Sequence, residues 1–82
     1  MQQLILYFQE DCHLCDEAET LLHLAGLAES YRKVDIETDL DLLKQYGIHV
    51  PVLKRVDSDR ELFWPFDQAA LVSFLETPAS DQ

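Results

Sequence analysis

Basic residues are missing from the first part of this chain. No Lys or Arg precedes Arg32, while Glu10, Asp11, Asp16, Glu17, Glu19 and Glu29 all fall before it. Over the whole sequence 6 basic residues face 16 acidic ones, a net charge of −10. That balance argues against nucleic acid and anionic membrane as partners, because both are held through a basic footprint. Long apolar runs are also lacking, and none approaches the ~20 residues needed to cross a bilayer. Met1-Gln2-Gln3 carries no positive charge and the apolar run after it is short, so the N-terminus does not read as a secretory signal. Together these absences predict a cytoplasmic protein, in surroundings that keep thiols reduced. No repeat, linker or low-complexity stretch interrupts the chain before Thr77. With 82 residues, 48% of them hydrophobic, the expectation is one small monomeric domain over 1–76 and a flexible tail over 77–82.

Cysteine is scarce as well, and its placement is the most informative feature of the sequence. Cys12 and Cys15 are the only 2 cysteines, spaced as Cys12-His13-Leu14-Cys15. Two thiols at this spacing can close a small disulfide reversibly, or they can supply half of a metal site. They are too few for a closed tetrahedral site in one chain, and His13 is too close in sequence to complete one. A metal reading would need a dimer sharing Cys12 through an external thiol, so neither a metal nor a resident cofactor is expected.

The apolar pattern around the cysteines alternates between strand and helix. Gln2 to Phe8 reads as a buried strand. Leu14, Ala18, Leu21, Leu22 and Ala25 recur at helical spacing, with Asp11 as the expected N-cap and Gly26 as the C-terminal stop. Tyr31 to Ile36 predicts a second strand with Val34 and Ile36 on one face. A shorter helix starts at Thr38 or Asp39, carries Leu40, Leu43 and Tyr46, and closes at Gly47. Val50-Pro51-Val52-Leu53 is extended. The turn cluster Asp57-Ser58-Asp59 should join Lys54-Arg55-Val56 to Glu61-Leu62-Phe63-Trp64 as a hairpin. Asp67 is the expected cap of a last helix with Ala70, Leu71, Phe74 and Leu75 turned inward. The order β-α-β-α-β-β-α predicts an α/β fold built on a four-stranded mixed sheet flanked by helices. Strands separated by helices are expected to pair in parallel, and the last two as an antiparallel hairpin.

Read in this order, the chain resembles a glutaredoxin-type member of the thioredoxin superfamily from Leu4 to about Leu75. Three features carry the resemblance: Leu6-Tyr7-Phe8 shortly before Cys12-His13-Leu14-Cys15, Val50-Pro51 at the start of the third strand, and a β-β-α ending through Trp64-Pro65-Phe66-Asp67. It is nearest to a branch of short, uncharacterised glutaredoxin-like proteins. The resemblance implies a thioredoxin-like fold and thiol–disulfide electron transfer between a Cys12–Cys15 pair and a protein or low-molecular-weight thiol. It further implies a cis-proline at Pro51 facing the cysteines, and a substrate site that draws on His13, Val50, Pro51, Trp64 and Asp67. Glutathione is the co-substrate such proteins bring. Its usual clamp is incomplete here: Gln9-Glu10-Asp11 stands where a basic residue precedes the first cysteine, and a Gly-Gly turn is missing, although Asp67 keeps an acidic position.

The nucleophile in such chemistry is the thiolate. At the N-terminus of a helix, Cys12 would gain roughly 0.3–2 kcal/mol of stabilisation for its anion. One carboxylate ~7 Å away costs about 0.6–2.4 kcal/mol, and Glu10, Asp11, Asp16 and Glu17 all flank the motif. The two effects are of similar size, so Cys12 is expected to be only weakly acidified. His13 reads either as a charge partner that offsets some of these carboxylates or as an ordinary surface histidine. His49 could lie near the site or be a plain loop residue, and His23 reads as a rim position. Trp64 is the ring most suited to line a groove. Two functions remain open: an oxidoreductase cycling Cys12 and Cys15, with Cys12 attacking and Cys15 resolving, or a non-catalytic module of the same fold whose acidic surface binds a basic partner.

Overall fold

The computed structural model describes residues 3–76, so Gln2 and the tail expected over 77–82 lie outside the described residues. The elements run β1 (Leu4–Phe8), α1 (His13–Leu24), β2 (Tyr31–Asp35), a single 3-10 turn (Ile36–Thr38), α2 (Leu40–Tyr46), β3 (Val52–Arg55), β4 (Glu61–Phe63) and α3 (Gln68–Glu76). The strands form one four-stranded mixed sheet in the order β2-β1-β3-β4, an architecture of the thioredoxin-like class. Strands β1 and β2 are parallel, with Leu6 opposite Lys33 and Phe8 opposite Asp35. Strands β3 and β4 form the expected hairpin, Leu53 opposite Leu62.

The pairing of β3 departs from expectation. Although a helix separates it from β2, β3 runs antiparallel to β1, with Tyr7 opposite Val52 and Leu6 opposite Leu53. The seven residues of α2 reach about 10 Å, whereas a five-residue strand is ~17 Å long. So short a helix does not return the chain to the starting end of the sheet. β3 therefore begins at the end where β1 and β2 finish.

Strand alternation sorts the core into two layers. Leu4, Leu6, Tyr31 and Leu53 pack with Ala18 and Leu22 of α1 and Leu71 and Phe74 of α3. Tyr7, Val52, Ile36 and Tyr46 form the opposite layer, with Leu42 and Leu43 of α2 packed against it. There the Tyr7 and Tyr46 rings stack at 4.5 Å, and the Tyr46 hydroxyl donates to Glu61. Leu40, which the sequence pattern groups with Leu43 and Tyr46 on this helix, is 73% exposed. On a 3.6-residue period Leu42, Leu43 and Tyr46 share one arc, and Leu40 falls outside it.

Helix ends follow the local chemistry of the sequence. Gly26, with φ 78°, closes α1. Its N–H donates to the His23 carbonyl and the Leu27 N–H to the Leu22 carbonyl, at 3.1 and 2.9 Å, the paired bonds of a Schellman motif. Asp39 caps α2 by accepting from the Asp41 and Leu42 amides. Asp67 caps α3 by accepting from the Ala70 amide at 2.8 Å. Among the described residues no helix is long and apolar enough to cross a membrane.

Candidate active site

The loop from β1 to α1 carries both cysteines. Cys12 and Cys15 are joined as a disulfide, their Cα atoms 5.2 Å apart. Cys12 is the N-cap of α1, with extended backbone, and its Sγ accepts from the Cys15 N–H at 3.2 Å. The cap expected at Asp11 therefore shifts by one residue. Asp11 instead has φ 58°, a left-handed conformation that Asp tolerates better than most side chains. The shift places sulfur where a cap oxygen usually sits, three residues before the amide it accepts from. Cys15 is 2% exposed, while Cys12 is partly exposed and sits at the surface.

A cleft of about 210 Å³ opens onto the disulfide, lined by Phe8, Gln9, Glu10, Asp11, Cys12, Cys15, Asp16, Glu19 and Lys33. Lys33 is the addition that the linear sequence did not suggest. It comes from β2, and the parallel β1–β2 register sets it beside Leu6. Its ammonium lies 2.9 Å from a Glu19 oxygen and 4.4 Å from the centre of the Phe8 ring. The other Glu19 oxygen accepts from the Tyr31 hydroxyl at 2.7 Å, and the His23 ring lies 3.1 Å from that hydroxyl. Burial pushes the Glu19 carboxyl up, but the Lys33 ammonium and the Tyr31 hydroxyl outweigh it and hold the group below its ordinary value. Burial, then the bond to Glu19, pushes the Tyr31 phenol well above its ordinary value. A signal for Lys33 did exist: a crossover helix sets the next strand beside the first, so alternate residues of β2 share the face of Phe8.

The remaining candidates divide into two groups. Pro51 precedes Val52, and Val52 pairs with Tyr7, so Pro51 stands at the sheet end from which the cysteine loop leaves. The Val50–Pro51 peptide is cis, as is Trp64–Pro65. The Val50 N–H donates to the Tyr46 carbonyl and the Pro51 carbonyl accepts from the Trp64 N–H, both at 3.2 Å. His13 is turned outward, with its side chain 85% exposed and paired to Glu17 at 2.9 Å. His13, Val50, Pro51, Trp64 and Asp67 do not line the cleft. Trp64 packs on the α1/α3 layer and meets Phe66 edge to face at 5.0 Å, while Asp67 caps α3. His49 packs edge-on against Phe63 at 5.5 Å. Among the described residues no group of three or more His, Cys, Asp or Glu side chains could hold a metal ion.

Comparison with known proteins agrees with this fold. A family model described as a glutaredoxin-like domain (DUF836) matches residues 3–76. A protein from X. campestris solved by X-ray diffraction is 43% identical, superposes with a TM-score of 0.83, and is matched over 92% of this chain and 97% of its own. A solution structure from the same organism gives 42% identity and a TM-score of 0.82, over 94% and 96% of the two chains. A protein from Nitrosomonas europaea is 28% identical with a TM-score of 0.76, over 89% of each chain. No curated protein matches the chain.

Proposed function

This chain belongs to the glutaredoxin-like domain family (DUF836), and from its cysteine site we propose that it is a thiol–disulfide oxidoreductase. The observation that carries the reading is the Cys12–Cys15 disulfide at the start of α1, with the outer cysteine accessible and the inner one buried. Cys12 is the attacking thiol, and the α1 amide that meets its sulfur helps to stabilise the thiolate. Cys15 resolves the mixed disulfide. A bridge with a sequence separation of 3 contributes only roughly 2 kcal/mol through chain entropy. That makes it a modest staple and suits a bond that is made and broken.

An extended substrate segment would lie along Val50-Pro51. With the Val50 N–H and the Pro51 carbonyl already used, the Val50 carbonyl is the backbone group left to pair with it. The protein acts as a monomer in the cytoplasm on protein or low-molecular-weight disulfides. Glutathione is a poor co-substrate in this reading, because the one cation lining the cleft, Lys33, is already paired with Glu19.

Turnover in insulin-reduction and hydroxyethyl-disulfide assays tests the proposal. Wild type is expected to be active and Cys12→Ser to lose activity at least tenfold. Its redox potential is expected below about −200 mV. A folded wild-type protein inactive with every thiol donor would overturn the enzyme reading in favour of a binding module with an acidic surface.

A further inference from the structure

We infer that the disulfide on which Cys12 acts carries positive charge beside its reacting sulfur. The inference rests on the oxidoreductase reading and adds the charge class of its substrate. The cleft holds the reactive pair itself, so the side chains around it act directly on whatever approaches. Four carboxylates line it, those of Glu10, Asp11, Asp16 and Glu19, against one cation, Lys33. Lys33 is committed to Glu19 at 2.9 Å, so those two charges cancel. Glu10, Asp11 and Asp16 are exposed and form no ion pair among the described residues. The sulfurs therefore face a negative field with no opposing free charge in the cleft.

That field acts on both approach and reaction. It repels an anionic disulfide and concentrates a cationic one, as charged clefts do. In the exchange, the Cys12 thiolate attacks one sulfur of R–S–S–R, the substrate S–S bond breaks, and one thiolate RS⁻ leaves. The Cys15 thiolate then attacks the Cys12 sulfur, closing the protein disulfide and expelling the second RS⁻. Two electrons pass from the protein dithiol to the substrate, and the two protons released from the cysteines end on the leaving thiols. Negative charge is spread over three sulfurs during each attack. Besides the one α1 amide that meets the Cys12 sulfur, a cation on the substrate offsets that charge against the surrounding carboxylates.

The test uses the pre-reduced full chain in single turnover at pH 7. The substrates are cystamine, which is cationic, hydroxyethyl disulfide, which is neutral, and dithiodiglycolate, which is anionic. Each rate is divided by that of the same disulfide with dithiothreitol, which removes differences in leaving-group reactivity. At low salt the normalised rates should fall by about tenfold from cationic to neutral and again from neutral to anionic. Both ratios should shrink towards one at about 1 M NaCl, where screening acts within ~3 Å. In a Glu10→Gln/Asp11→Asn/Asp16→Asn variant the cationic-to-neutral ratio should drop severalfold. Asn is chosen at Asp11 because it accepts the left-handed backbone there. If the triple variant does not fold, the single changes Glu10→Gln and Asp16→Asn should each lower the ratio about twofold. Disulfides of Lys-Cys-Lys and Glu-Cys-Glu peptides extend the comparison: a larger bias than with the small disulfides assigns the charge to a polypeptide, a smaller one to a low-molecular-weight thiol. Equal normalised rates, or an anionic preference, in a protein active on hydroxyethyl disulfide would overturn the inference. No exchange with any disulfide would instead overturn the oxidoreductase reading beneath it.

Discussion

Cys15, Glu19 and His23 recur at every fourth position of α1 and so share one stripe of the helix. The stripe meets β2, whose Tyr31 and Lys33 supply the hydroxyl and the ammonium that hold Glu19. The cysteines were legible from spacing alone, but this network was not. Lys33 becomes a neighbour of the cleft only once β2 lies against β1, so a segment without basic residues in sequence is not free of them in space. Trp64 and Asp67 show the converse. Trp64 packs on the α1/α3 layer, while Asp67 takes the capping role that the sequence also predicts for it; neither lines the cleft. The pH dependence of stability tests the Glu19 network. Its carboxyl lies below the ordinary value of 4.5 in the folded state. The stability it contributes is therefore fully present above that pH and lost as pH falls through the folded value. The urea midpoint of the wild type should fall more steeply between pH 6 and pH 3 than that of Glu19→Gln. Parallel curves would show that the network contributes no pH-dependent stability.

At the scale of elements, strands, helices and their stops could be read from residues in sequence, because caps and turns are local devices. Gly26, Asp39 and Asp67 stand at the helix ends where their chemistry places them, and Gly47 follows the last turn of α2 with helical backbone. The direction of β3 could not be read that way, since it depends on how far α2 reaches, a matter of helix length against strand length. The Asp11 cap failed for a local reason: a second acceptor, the Cys12 sulfur, lies one residue nearer the helix and takes the amide. The end of α1 offers a clean measurement. A Cβ at position 26 would meet nothing within 4 Å, while φ there is +78°. Gly26→Ala should therefore cost only the backbone penalty of a left-handed residue, about 1–2 kcal/mol. For a domain of this size that is a fall of roughly 4–16 °C in Tm. Calorimetry or thermal circular dichroism reads it directly, and a change within 1 °C would show that the Schellman turn does not set the stability of α1.

Over the whole molecule the charge of −10 opposes the compact state. Four ion pairs are present among the described residues, and three of them use Lys33, Lys54 and Arg55. Even with all 6 Lys and Arg paired, 10 of the 16 Asp and Glu would be left without a Lys or Arg partner. Folding brings those charges together, and their mutual repulsion destabilises the fold to an extent that salt relieves. Surface pairs such as Lys54–Asp59, at 3.7 Å, work in the opposite direction, since salt weakens them, but each contributes only ~0.2–1 kcal/mol. Repulsion outweighs attraction here because unpaired carboxylates outnumber pairs. Raising NaCl from about 10 mM to about 0.5 M shortens the Debye length from ~30 Å to a few Å, less than the span of the domain. The urea midpoint at pH 7 should rise by an amount equivalent to about 1 kcal/mol, with the m-value unchanged, because the surface exposed on unfolding is the same. Chloride is preferred to sulfate, whose exclusion from protein surfaces stabilises folded chains irrespective of charge. At pH 4, where many carboxylates are protonated, the salt effect should shrink to about half or less. A midpoint that falls with salt at pH 7, or a gain of equal size at both pH values, would show that net repulsion does not govern this fold.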